Sequence, residues 1–252
     1  MLMQFGAKAK QLIDGAFYAV YEPYIARGFL RQVNAGERSD WLENRHHSHS
    51  QILQDLFVLS ELDFKQNGYF VDFGATNGMD LSNSFLLEKK FGWQGICAEP
   101  ARCWHAELKT NRNCIVETDC VWRSTGQTIE FNETVQPELS TLGDFSDSDF
   151  HAKNRKHGQR YSVGTISLND LLEKHQAPEM IDYLSIDTEG SEFEILKAFD
   201  FSRRKFRVIT CEHNFSSARK PIHDLLQAQG YVRKYEKFSR FDDWFVLGET
   251  EV

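Results

Sequence analysis

Between residues 68 and 247, short apolar runs alternate with stretches of helical spacing, and this alternation narrows the fold more than any other feature of the chain. The runs lie at 69–71, 95–98, 114–116, 181–186 and 206–211, and segments such as 85–91, 168–175 and 193–199 repeat apolar residues at helical intervals. Parallel strands need a crossover between them, so strands separated by helices predict a mostly parallel α/β sheet with helices on both faces. Near the C-terminus, 231–232 and 244–247 flank a polar stretch containing Asp242 and Asp243. They predict two closely joined strands that give the sheet an antiparallel end. With 41% hydrophobic residues, 252 residues are enough to bury such a core.

Two regions depart from the alternation. Residues 1–60 read as an N-terminal helical extension or cap, with Leu53, Leu56, Phe57 and Leu59 near helical spacing, and 61–252 as the α/β domain. Residues 132–164 are rich in Ser, Asp, Gly and Asn and lack periodicity. They read as an excursion from the sheet, either a lid over a site or a plain surface insertion.

A net charge of −8 argues against a polyanionic partner, so no nucleic acid is expected. The five cysteines are odd in number and form no C-x-x-C pair, which reads as reduced thiols in a cytoplasmic protein. No apolar run has the length of a membrane span or a secretion signal. Oligomeric state leaves no trace in the sequence.

The chemistry-bearing residues sit where the strands end. Asp72-Phe73-Gly74-Ala75-Thr76-Asn77-Gly78 follows the first strand. Its glycines permit a tight turn and close approach of backbone to a ligand. Thr76 occupies the position where a nicotinamide-dinucleotide fingerprint requires glycine. Asp72 suits a ligand ammonium and would repel a pyrophosphate. Glu99 ends the next strand, about twenty residues on, where Rossmann-type folds grip a ribose diol. Asp187 and Glu189 follow the run at 181–186, and Glu212-His213-Asn214 ends the run at 206–211. Glu192, one turn further, reads as a cap for the following helix.

Together these segments resemble the FkbM family of S-adenosylmethionine-dependent methyltransferases. Ser50-Gln51 with Asp55 resembles its S-Q-x-x-x-D entry segment, and residues 68–84 its cofactor loop. Gly92-Trp93-Gln94-Gly95 through Glu99-Pro100 resembles its "GW-x-G…EP" strand. Residues 181–192 resemble "ID-x-L-x-ID-x-EG-x-E", and Glu212-His213-Asn214 its "EHN" strand end. The resemblance implies an α/β, Rossmann-like class I methyltransferase fold, with S-adenosylmethionine as cofactor and S-adenosylhomocysteine as product. It implies that Asp72, Gly74, Ala75 and Gly78 hold the methionine end and Glu99 the ribose hydroxyls. It further implies that Asp119 meets the adenine, with Gln51 and Asn83 lining the pocket. Asp119 reads equally as a solvated strand-end acid.

The implied acceptor is a hydroxyl on a sugar, glycan or small metabolite, and its proton needs a base. Asp187, Glu212 and His213 are the catalytic candidates, with Asp187 or His213 as the base. His213 reads equally as a residue that only orients its loop. No resident metal is expected; the alternative is an oxygen-rich Mg²⁺ site of Asp187, Glu189, Glu212 and His213. The run His46-His47-Ser48-His49 lacks partners at zinc spacing and reads as a polar loop near the cleft mouth. Two other classes stay in view, a nucleotide-dependent oxidoreductase and a catalytically silent binding module.

Overall fold

A computed structural model describes residues 23–145 and 155–248. The expectations for 1–22 and for the middle of the 132–164 stretch fall outside the described residues.

After a helical stretch at 23–30, the chain runs through α1 (Arg38–Arg45), α2 (Gln54–Glu61), β1 (Tyr69–Phe73), α3 (Phe85–Phe91), β2 (Gln94–Ala98), α4 (His105–Asn111) and β3 (Ile115–Glu117). It continues through β4 (Cys120–Trp122), β5 (Thr128–Glu133), β6 (Thr141–Leu142), β7 (Gln159–Ser167), α5 (Leu168–Lys174), β8 (Met180–Ile186) and α6 (Glu192–Ala198). The last elements are β9 (Lys205–Glu212), α7 (Arg219–Ala228), β10 (Tyr231–Lys234), α8 (Glu236–Ser239) and β11 (Asp242–Leu247). Seven strands form the main sheet in the order β10-β11-β9-β8-β1-β2-β3. All neighbours are parallel except β11, which runs antiparallel to β9 and β10. The alternation of strand and helix and the antiparallel end are therefore as the sequence predicts. Strand order reverses between β1 and β8, and a crevice opens there outside the strand ends.

Each sheet face has its own core. One buries Val71, Phe73, Leu184 and Ile209 under Leu168, Leu171, Ile195, Leu196, Ile222 and Leu226 of α5, α6 and α7. The other buries Phe70, Tyr183 and Val208 with Leu87, Leu108 and the helices before β1. Here the aromatic residues gather: Phe57 stacks on Trp244 with centroids 4.7 Å apart, and Phe29 stacks on Trp41 and Tyr235. The described part of the N-terminal region thus supplies the cover of one sheet face.

The stretch at 132–164 is more regular than its composition predicts. β5, β6 and β7 join β4 in a second sheet, ordered β4-β7-β5-β6, around Trp122, Phe131, Leu142 and Val163. Alternation across β7 is masked by polar residues on its open face (its burial varies residue by residue), so periodicity alone misses it.

Phe57→Ala should lower the unfolding free energy by about 3–5 kcal/mol, because it empties a fully buried stack that joins α2 to β11. Denaturant titration should still show one transition. A separate early transition would mean that the N-terminal layer unfolds independently.

Candidate active site

The crevice is built first by backbone. Gly74, at φ +75°, lies so close to β8 that a Cβ there would sit 1.8 Å from the Asp187 carbonyl oxygen. The Asp187 amide donates to the Phe73 carbonyl and the Gly74 amide to that of Ala98, which locks three strand ends together. Above them opens a cleft of about 920 Å³, within the range that holds small ligands. Several non-glycine residues lining it adopt positive φ, among them Thr76, Leu81, Glu189, Asn214 and Phe215. Such backbone persists only where surrounding contacts enforce it, and it clusters at working sites.

At one end of the cleft stands Asp72, buried at the end of β1. It accepts a hydrogen bond from Ser84, and Arg112 donates to Ser84 while also binding the Gly78 carbonyl, Ser82 and Glu88. Burial raises the Asp72 pKa; Ser84 and Arg112 oppose this. Asn83 donates its amide to Ser185, and its Oδ1 is buried without a protein partner. An unpaired acceptor beside a carboxylate is a seat for an ammonium group.

Glu99 lines the middle. Its two oxygens accept the Thr76 and Ala101 amides at 2.9 and 2.8 Å, leaving further lone pairs for a diol. Gly74, Ala75, Asn83 and Gln51 line the same cleft. Asp119 and Gly78 do not. Asp119 lies in the turn between the two sheets with its carboxylate toward Gly164, and the wall there is Cys120 and Val121. Gly78 shapes the turn at φ +79° behind the lining.

In the same cleft the ends of β8 and β9 carry an acidic group. Asp187, Glu189 and Glu212 bring oxygens within 4.8 Å of one another. Burial pushes Asp187 up to about 6, and burial together with the neighbouring acids pushes Glu212 well above its usual range. The two carboxyls share a hydrogen bond, and burial raises both. Glu189 is held otherwise: Arg155 binds its Oε2 at 2.7 Å, Asn214 donates to the same oxygen, and Thr141 of the second sheet accepts no proton but donates to its carbonyl. Glu192 accepts the Thr188 and Gly190 amides and fixes the turn.

His213 requires a correction. The sequence places it over the same cleft as Asp187, but its side chain turns to the other side of the strand end. Its Nδ1 accepts the Phe215 amide at 2.9 Å, and its Nε2 lies buried 3.8 Å from Asp243. It borders a separate cavity of about 140 Å³, and burial holds its pKa down at about 4. β9 ends at Glu212, which reaches the cleft, and His213 just beyond it does not line the cleft. The histidine that lines it among the described residues is His49, from the run read as a polar loop near the cleft mouth; the sequence did not single it out, nor the Arg155–Glu189 pair, since both depend on contacts distant in the chain.

The sheet order, the reversal between β1 and β8 and the acids at the strand ends define the class I methyltransferase fold. The sequence profile of the Methyltransferase FkbM domain matches residues 72–233, and the chain belongs to that family. Among solved structures, the FkbM methyltransferase of Methylobacillus flagellatus KT aligns at 16% identity and a TM-score of 0.46, over 87% of this chain and 58% of that one. The precorrin-6y C5,15-methyltransferase of Geobacter metallireducens GS-15 aligns at 13% identity and 0.39, over 76% and 85%. The Methanococcus jannaschii fibrillarin pre-rRNA processing protein aligns at 12% and 0.33, over 76% and 75%. No curated protein sequence matches this chain significantly.

Burial lifts Glu99 from 4.5 to about 7. A raised carboxyl stabilises the fold fully below about pH 4.5, and that contribution is lost as pH rises through about 7. Across this window the ligand-free protein should lose about 3 kcal/mol relative to Glu99→Gln, read from urea titrations at a series of pH values. Parallel pH curves for the two proteins would show that Glu99 does not titrate in this way.

Proposed function

We propose that this methyltransferase moves a methyl group from S-adenosylmethionine to a hydroxyl of a sugar, glycan or small metabolite, with the Asp187–Glu212 pair receiving the proton. The observation that carries the reading is a hydrogen-bonded carboxyl pair, Asp187 and Glu212, in the same cleft as Asp72 and the unpartnered Asn83 oxygen. Asp72 and the unpaired Asn83 oxygen fit the amino end of such a cofactor, and Glu99 fits its ribose. When bound, the cofactor supplies an electrophilic methyl on a sulfonium.

The residues of the chain then have three tasks. Gly74, Ala75 and the Thr76 loop set the approach, and aligned geometry supplies much of the rate in a displacement of this kind. Asp187, ionised above about pH 6, accepts a hydrogen bond from the acceptor hydroxyl and takes its proton as the bond to carbon forms. Glu212, hydrogen-bonded to Asp187, holds it in place. Phe215, 64% exposed at the rim, offers a ring face to the acceptor.

We read the site as metal-free: Arg155 and Asn214 already bond to the Glu189 Oε2. The net charge of −8 favours a small acceptor over nucleic acid. No helix among the described residues is long and apolar enough to cross a membrane. Unpaired thiols suit a cytoplasmic setting.

Asp187→Asn should lower kcat by about 10²–10⁴-fold while S-adenosylhomocysteine affinity changes little, and it should abolish the acidic limb near pH 6. An intact limb in that variant would move the base elsewhere. Treatment with EDTA should leave turnover unchanged. Loss on chelation that Mg²⁺ restores would instead make Asp187, Glu189 and Glu212 ligands.

A further inference from the structure

We infer that His49 is a cofactor-binding residue that holds the α-carboxylate of the methionine moiety, the counterpart of Asp72 on the ammonium. The inference rests on the reading of the cleft as an S-adenosylmethionine site.

The electrostatics of the cleft pose the problem. Asp72, Glu99, Asp187, Glu189 and Glu212 all line it, yet an amino-acid ligand brings a carboxylate as well as an ammonium. An anion seated among carboxyl groups needs a donor at its own end. Arg240, which also lines the cleft, lies two residues before Asp242 of β11, the partner of Glu212 in the sheet. Among the described residues His49 is the only histidine lining the cleft.

Its position is set at the methionine end. The His49 ring lies against Phe85 with centroids 4.7 Å apart. Phe85 follows Ser84, whose hydroxyl donates to Asp72. A parallel bridge joins Ser50 to Leu81, two residues before Asn83. His49 is therefore fastened to the same loop that carries the ammonium seat.

The fastening is extensive for so short a segment. Asp55, fully buried, accepts the hydroxyls of Ser48 and Ser50 at 2.7 Å, the Leu56 amide at 2.8 Å and the His49 amide. Ser48, Ser50 and the Leu56 amide converge on the one oxygen Oδ1 of this buried carboxylate, which ties residues 48–56 together. The side chains this presents to the cleft are His49 and Gln51, an N–H donor and an amide. Both suit a carboxylate. The Ser-Gln-x-x-x-Asp pattern at 50–55 thus works as a clamp whose product is the placement of His49.

Calorimetry with two ligands tests this. S-adenosylhomocysteine carries the α-carboxylate, and 5′-methylthioadenosine lacks the whole amino-acid portion. His49→Ala should weaken S-adenosylhomocysteine about 10- to 100-fold, the factor of a charge-assisted hydrogen bond, and leave 5′-methylthioadenosine unchanged. His49→Gln, which keeps an N–H donor, should recover part of the loss. Equal weakening of both ligands would mean that His49 only shapes the cleft and would overturn the inference, as would unchanged binding of both. If the wild-type protein binds 5′-methylthioadenosine but not S-adenosylhomocysteine, no carboxylate seat exists. If it binds neither, the cofactor reading itself fails, independently of His49.

Discussion

The close approach of β1 to β8 is the contact on which the rest of the site depends. Gly74 lies against the Asp187 carbonyl where no side chain would fit, and the Asp187 amide closes onto Phe73. This joins the two halves of the sheet at the point where strand order reverses. It also puts Asp72 and Asp187, the acids at the ends of these two strands, on the floor of one crevice. A residue with a Cβ at position 74 would separate them and open the cleft from below.

Around that floor the protein spends its buried charge unevenly. Arg112 answers Asp72 through Ser84, and Arg155 answers Glu189 directly. Among the described residues Glu99, Asp187, Glu212 and Asp242 form no ion pair, and burial raises all four. Burying carboxyl groups without counter-ions is costly and is tolerated where a ligand or a proton completes them. A cationic sulfonium with an ammonium group and a diol would complete this set. The second sheet takes part as well, since Arg155 and Thr141 reach from it to Glu189.

The two faces of the main sheet divide the work. Aliphatic side chains from α5, α6 and α7 fill one face in the manner of many α/β cores. On the other, aromatic rings from the N-terminal region close over Trp244 and Tyr183, and the chain emerging from this layer forms residues 48–51 at the cleft. The layer that stabilises the fold therefore also delivers His49 and Gln51.

Much of this was legible in the sequence. Strand and helix periodicities are local, so the parallel sheet, its antiparallel end and the strand-end positions of Asp72, Glu99 and Asp187 could be read before any contact was known. The glycine turn announced itself because a positive φ has few alternatives. Three things could not be read. The small sheet of β4 to β7 has a polar open face, and its strands lack alternation strong enough to separate them from loop. Whether Glu212 or His213 faces the cleft depends on the side-chain phase at the end of β9, which register with β8 and β11 decides. The run of His46 to His49 could be placed near the cleft mouth, but which of its histidines enters could not, because the place of His49 rests on Asp55, Leu81 and Phe85. Local periodicity determined the elements and their order; packing between distant residues decided which of their polar side chains meet.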